Sequence, residues 1–490
     1  MASRFPDIIQ GGMGVAVSNW RLARAVSRSG ALGVVSGTGI GIVLARRLQL
    51  GDPDGAMRRA LQAFPAPAIA QRVLDKYFIP GGKPAGKRFR PVPLANARPP
   101  ASLIELIVCG NFCEVWLAKE GHDGVVGVNY LEKVQRLHLA SAYGAMLAGV
   151  DVVLMGAGIP VQIPGVLDRL AQHEPVRYTL DVAGALPGES FSIGFDPRAL
   201  RDWAPETPLH RPAFFTIIAS ALLAKVMTTR ASGSVEGFVV EGPTAGGHNA
   251  PPRGKLQLDD RGQPIYGERD VVDLAKLREI GLPFWLAGSF GSAEKLVEAK
   301  MLGARGIQVG SAFALCEESG LADKAKAQLR SRAWRGELDV RTDPLASPSG
   351  FPFKVVQSEG SLSDHAVVAA RPRLCDVGRL QEAYRTPDGT IGYRCPAEPV
   401  EDYLAKGGRI EETVGRVCLC NALLSGAGYA QRQPNGYWED SIYTLGDEHR
   451  FLRDMLPDGE RPYSASEVVA YLRGERAPIE PALAVASRQA

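Results

Sequence analysis

Short runs of continuous apolar and β-branched residues recur along this chain, at 8–10, 32–36, 125–129, 150–155, 214–218, 237–241, 283–287 and 306–310. Their apolarity is unbroken rather than alternating, which is how strands covered on both faces read, as in a parallel sheet wrapped by helices. Between them lie segments with helical spacing of apolar positions, at 19–29, 131–147, 219–229, 271–280 and 293–302, several with Ser, Thr, Asp or Asn near the start. Eight strands alternating with helices predict an α/β fold, a TIM (β/α)8 barrel. A doubly wound open sheet is the alternative.

Two insertions interrupt the repeat. The first, about 51–124, is Pro-rich and holds one strong helical segment at 102–119 with Leu103, Leu106, Ile107 and Val115 on its apolar face. The second, about 172–212, contains alternating runs at 177–181 and 191–195 that predict a β-hairpin over the barrel mouth. Past Asp343 the composition turns toward Gly, Pro and polar residues. The barrel is therefore placed at 1–345, and 346–490 is taken as a C-terminal cap or subdomain.

Composition adds bounds. Hydrophobic residues at 45% and charged residues at 22% suit a globular enzyme, and a net charge of +3 gives no reason to expect nucleic acid. The one basic cluster, at 83–90, contains Pro and Gly and lacks stacking aromatics, so it reads as a solvated loop. The sequence predicts neither a signal peptide nor a membrane span, which points to the cytoplasm. Seven cysteines, an odd number, fit reduced thiols.

Several loops carry candidate chemistry. Ala245-Gly246-Gly247-His248 follows the sixth strand, where paired glycines allow close backbone approach to a ligand and an imidazole can move protons near neutral pH. Gly288-Ser289-Phe290-Gly291 after the seventh strand and Gln308-Val309-Gly310-Ser311 at the eighth offer backbone N–H groups before helices, the usual barrel site for a phosphate. Each alone also reads as a plain strand-to-helix turn. Gly11-Gly12-Met13-Gly14 after the first strand would let a flat ring lie close, with a thioether against it. Neither it nor Gly37-Thr38-Gly39-Ile40-Gly41 completes a dinucleotide fingerprint. Cys375, Cys395, Cys418 and Cys420 lie close enough in sequence to suggest a zinc or iron–sulfur site, although Cys-x-Cys is tighter than the usual knuckle, and two of them also read as buried core thiols. Cys109 and Cys113, one helical turn apart, read as core. Of the remaining histidines, His122 is the reserve candidate. His138 lies in a helical stretch, and His173, His210, His365 and His449 have no acidic or cysteine partner at metal spacing.

Taken in order, Pro6-Asp7-Ile8-Ile9-Gln10-Gly11-Gly12-Met13, Gly127-Val128-Asn129, Gly149-Val150-Asp151, Ala245-Gly246-Gly247-His248, Ala287-Gly288-Ser289, Ile307-Gln308-Val309-Gly310-Ser311 and Ser347-Pro348-Ser349-Gly350 resemble the nitronate monooxygenases, formerly 2-nitropropane dioxygenases. Flavin-dependent enoyl-acyl-carrier-protein reductases share that superfamily. The resemblance implies FMN in the barrel mouth. It puts Gly11, Gly12 and Met13 against the flavin ring, Asn129 beside the ring or phosphate, and Gly246 and Gly247 along the cofactor. Gly288 and Ser289 would bind the phosphate, and Gln308, Gly310 and Ser311 would complete that site. His248 would be the acid–base residue, acting on an alkyl nitronate with O2. The second expectation is an NAD(P)H-dependent enoyl-thioester reductase, and a third, of another class, is a non-catalytic flavin- or metal-binding scaffold. Partners would be small molecules, with no nucleic acid or membrane, and possible self-association into a homo-oligomer is left open. The insertions, the Gly-Ser-Phe-Gly turn and the C-terminal extension depart from the family pattern.

Overall fold

The computed structural model describes residues 5–475, so the far ends of the two predicted units, 1–4 and 476–490, lie outside it. Eight parallel strands form one sheet: β1 (Ile8–Gln10), β2 (Gly33–Ser36), β3 (Val126–Leu131), β4 (Val152–Gly156), β5 (Ala213–Ile218), β6 (Gly237–Glu241), β7 (Phe284–Ala287) and β8 (Gly306–Val309). Neighbours in sequence are neighbours in the sheet, and β8 pairs with β1. The ring closes where the Gln10 amide donates to the Leu32 carbonyl at 3.0 Å and the Leu32 amide to the Ile8 carbonyl at 2.9 Å. This is the predicted barrel, strand for strand.

Both faces of these strands are buried, which is why their sequences show no polar alternation. Ile9, Val34, Leu154, Phe215, Val239 and Trp285 point inward and form the barrel's own core. The residues beside them, among them Ile8, Val35, Val153, Phe214, Phe238 and Phe284, point outward under the helices. Phe5 plugs the bottom, edge-on to Phe215 and to Trp285, and the Trp285 indole donates to the Pro6 carbonyl at 3.0 Å.

Local capping sets several helix starts. The side chains of Asn19, Ser220, Asp273 and Ser292 accept backbone N–H groups at the heads of Trp20–Arg28, Ala221–Arg230, Leu274–Ile280 and Ala293–Met301. The helix expected at 131–147 begins only at His138, because Tyr130 and Leu131 extend β3 by pairing with Met155 and Gly156. In the first insertion, the 19-residue helix Ala101–Lys119 packs on Trp20–Arg28, Ile40–Gln49 and His138–Leu147. It is apolar enough to cross a bilayer but is mostly buried inside the protein. Its two buried acids are paired, Glu105 with Arg72 and Glu114 with Arg47, and Cys109 and Cys113 are core, as expected.

The predicted hairpin exists as Val176–Thr179 paired with Ser192–Phe195, but its placement differs from expectation. Its strands pack on the flank, against Ile163–Ala171 and His138–Leu147, and none of its residues lines the central cavity. The cover comes from further along the chain. Val340–Asp343 pairs with Phe353–Val356, and Glu382–Arg385 pairs with both Ile391–Arg394 and Val182–Ala183. Helix Ala465–Leu472 then returns to the barrel wall and packs between Trp20–Arg28 and Ala293–Met301, the gap left in the outer ring after β8.

Candidate active site

One large cavity opens at the C-terminal ends of the strands, where barrel loops converge. All twelve residues singled out as cofactor or catalytic candidates line it: Gly11, Gly12, Met13, Asn129, Gly246, Gly247, His248, Gly288, Ser289, Gln308, Gly310 and Ser311. They come from loops after β1, β6, β7 and β8 and from β3 and β8 themselves, so the barrel brings together positions up to three hundred residues apart in the chain.

The turn after β7 holds two successive residues in the left-handed region, Gly288 at φ 90° and Ser289 at φ 58°. A side chain at Gly288 would meet Thr244 Oγ1 at 2.8 Å. Gly247, at φ 82°, faces open space and leaves room beside the loop. Ser311 accepts a hydrogen bond from the Gly446 amide at 2.9 Å, which ties the β8 turn to the roof. Two amides in the wall are incompletely used. Asn129 donates to the Gly12 carbonyl at 3.0 Å, while its Oδ1 and Gln308 Oε1 are buried with no partner among the described residues. Buried polar atoms in native proteins nearly always have partners, so these two acceptors on the cavity wall are free to take an N–H or O–H group of a ligand.

The histidine loop is clamped by segments distant in sequence. Lys354 donates its amide to Gly247 O at 2.9 Å, Asn249 its amide to Pro352 O at 2.9 Å, and Gly247 its amide to Thr444 Oγ1 at 2.8 Å. His248 Nε2 lies 2.7 Å from Ser347 Oγ, and its ring sits 4.8 Å from that of Phe353. Burial pulls its pKa down to about 4, so at neutral pH the imidazole is uncharged and one ring nitrogen is fixed by the serine.

Glu241 also lines this cavity, and sequence reasoning gave it no role. A carboxylate closing an otherwise apolar barrel strand was the available signal. Burial alone, with no cation beside it, pushes its pKa up to about 7. Because the folded value exceeds the ordinary 4.5, the unfolded chain loses this proton first, and stability is lost as pH rises from about 4.5 to about 7. Glu241→Gln is therefore expected to match the parent in urea unfolding at pH 4 and to be more stable at pH 8, by on the order of 3 kcal/mol. Equal stability at both pH values would refute the shift.

The proposed zinc or iron–sulfur site is not formed. Among the described residues no cluster of three or more His, Cys, Asp or Glu side chains is placed to hold a metal. Cys375 and Cys395 hydrogen-bond to each other. Cys418 is buried beside Asn421 and close to Arg371, whereas Cys420, two residues on, lines the cavity. The tight Cys-x-Cys spacing sends its two thiols to different surroundings. The reserve candidate His122 lies away from the cavity, bonded to the Ala118 carbonyl at 2.7 Å.

The nitronate monooxygenase family model matches residues 190–338, the span from the end of the hairpin through β5–β8 and the turns after β7 and β8. Over residues 190–338 the chain is therefore similar to the nitronate monooxygenases. Probable nitronate monooxygenases are also found among curated proteins. That of Staphylococcus saprophyticus is 25% identical over 181 residues, 37% of this chain and 46% of the relative. That of Staphylococcus haemolyticus is 28% identical over 164 residues, 32% and 43% respectively. The chain thus spans under half the length of these relatives. Among solved structures, a nitroalkane oxidase from Streptomyces ansochromogenes overlays with a TM-score of 0.48 at 16% identity, covering 96% of each chain. FabK from Thermotoga maritima overlays at 0.37 and 18%, covering 72% and 71%. Both overlaps are too loose to bear on chemistry. The matched segment contains Glu241, His248 and the turns after β6, β7 and β8, whereas Gly11, Gly12, Met13 and Asn129 and the roof residues Ser347 and Thr444 lie outside it.

Proposed function

We propose that this chain is an FMN-dependent oxidoreductase of nitronate monooxygenase type, oxidising alkyl nitronates with O2. The observation that carries this reading is a neutral, serine-fixed His248 on the same cavity as the left-handed Gly288-Ser289 turn. Gly288, Ser289, Gly310 and Ser311 would hold the cofactor's phosphate. Gly11, Gly12, Met13, Gly246 and Gly247 would lie along its ring, and Asn129 Oδ1 and Gln308 Oε1 would accept hydrogen bonds from its polar groups. When bound, FMN supplies an electron acceptor that can pass electrons on to O2.

The chain's own part is to position and to move protons. An uncharged imidazole can donate its N–H to an oxygen of the nitronate, or, where the neutral nitroalkane enters instead, take the acidic proton beside its nitro group, without first losing a proton itself. Ser347 holds the ring in one orientation for either task. Glu241, on the wall shared by the main cavity and a neighbouring one, is a second group able to carry a proton near neutral pH. The glycines would let a flat ring approach the backbone closely and so help to keep water from it.

A second reading, reduction of an enoyl thioester by NAD(P)H, is favoured by the apolar upper wall of the cavity, where Leu419, Leu423 and Leu424 offer a surface for an acyl chain. Anaerobic stopped-flow mixing separates the two. Loss of flavin absorbance on mixing with an alkyl nitronate is the expected result. Bleaching by NADH or NADPH alone would move the assignment to the reductase, and protein that neither contains nor takes up flavin would overturn both in favour of a scaffold.

A further inference from the structure

Arg379 lies in the roof of the cavity, above the loop after β2 and the end of β3, in contact with the space lined by Thr38, Gly39, Tyr130 and Leu131. Only 5% of its surface is exposed, and Nε, Nη1 and Nη2 all lack a hydrogen-bond acceptor among the described residues. No carboxylate compensates it. The charged or titratable groups that act on it are Arg136, a like charge, and Cys420, whose thiol burial pushes up to about 11 and so keeps protonated at neutral pH. Arg136 is itself committed, donating to the Ala95 and Gly378 carbonyls and to Gln381, with its guanidinium 4.3 Å from the Tyr393 ring centroid. Desolvation brings Arg379 down to about 10, which still leaves it a cation at neutral pH.

A buried charge without a partner is costly, and a fold gains nothing from keeping one where an apolar side chain would fit. Planar guanidinium donors match the paired oxygens of a carboxylate or phosphate. The cavity that Arg379 shares is walled in part by hydrocarbon, from Ile42, Val377, Leu380, Leu419, Leu423 and Leu424. Arg379 and His248 line the same cavity, Arg379 beside the loop after β2 and His248 on the loop after β6, and these two strands stand opposite each other in the eight-stranded ring.

We propose that Arg379 is the anchor for the anionic end of an amphipathic ligand, a carboxylate or phosphate on an apolar chain, whose other end extends toward His248. This site goes beyond the flavin assignment and is read by binding alone, so either can fail without the other.

The test is calorimetric titration of the protein as purified with octanoate, octyl phosphate and octanol at fixed ionic strength. At least one anion is expected to bind roughly tenfold or more tighter than octanol, and the tighter of the two identifies the headgroup. Arg379→Met should erase that preference without lowering the melting temperature, because it removes an unpaired charge and keeps the volume. Arg379→Lys, which keeps a point charge but not the fork, should retain part of it. Octanol binding as tightly as both anions, no binding of any of the three, an unchanged preference in Arg379→Met, or a Met variant that melts lower would each overturn the proposal.

Discussion

Replacing His248 with alanine is expected to lower turnover of an alkyl nitronate by about 10²–10⁴-fold, the usual contribution of a positioned acid–base group, while the flavin content of the purified protein stays at the parent's level. The two readouts separate because every residue assigned to the cofactor is left in place, and the loop retains its backbone bonds to Pro352, Lys354 and Thr444. Ser347 keeps a partner in Ser349, 2.8 Å away, so the variant leaves no new orphaned hydroxyl. The pH dependence carries the same signature. With its pKa drawn down to about 4, His248 stays neutral across the working range, and activity should fall on the acid side only as pH approaches that value. An inflection near 7 would instead belong to Glu241 and should vanish in Glu241→Gln. Unchanged turnover in His248→Ala would remove the imidazole from its role, and loss of flavin together with turnover would make it a binding residue instead.

Arg371→Ala is the substitution expected to cost the most stability. Arg371 Nε and Nη2 donate to the two carboxylate oxygens of Glu439 at 2.8 and 3.0 Å, with side-chain exposures of 5% and 0%. Gln433 adds a bond to Glu439 Oε1 at 2.7 Å. Deleting the arginine leaves a carboxylate in the interior with the glutamine as its hydrogen-bond partner and Arg46 as the other cation acting on it, which costs about 3–5 kcal/mol. The midpoint of urea unfolding should drop accordingly. Arg371→Met combined with Glu439→Leu should lose much less, because the charge and its counter-charge leave together. A single variant within about 1 kcal/mol of the parent, the range of exposed ion pairs, would show that the pair is solvated.

The barrel was legible because its signal is local. Strands such as β4 and β5 are apolar at nearly every position since both faces are covered, and capping residues such as Asn19 and Ser292 mark helix starts within a few positions. The candidate site was legible for the same reason, since glycine turns and a histidine after successive strands are short motifs. What sequence reading missed depends on contacts between distant positions. Ser347 meets His248 across about a hundred residues, and Thr444 reaches Gly247 across nearly two hundred. Such pairs leave no period in the chain. The hairpin at 176–195 was found by its alternation, but alternation says nothing about which surface it covers, and its buried side faces helices rather than the cavity. The cysteines show the converse: nearness in sequence suggested a metal centre, whereas the start of helix Leu419–Gly426 parts Cys418 from Cys420.

The return of helix Ala465–Leu472 to the wall beside the first helix has a consequence for how the protein is made. When β8 leaves the ribosome the eight strands can already pair, yet the outer ring still has a gap and the mouth has no roof. At about 5–20 residues per second, some ten seconds or more of synthesis separate a barrel that can close from a cavity that is finished. During that interval the apolar flank of Trp20–Arg28 faces solvent. Until Ala465–Leu472 docks, the nascent chain carries an open apolar seam of the kind that chaperones cover.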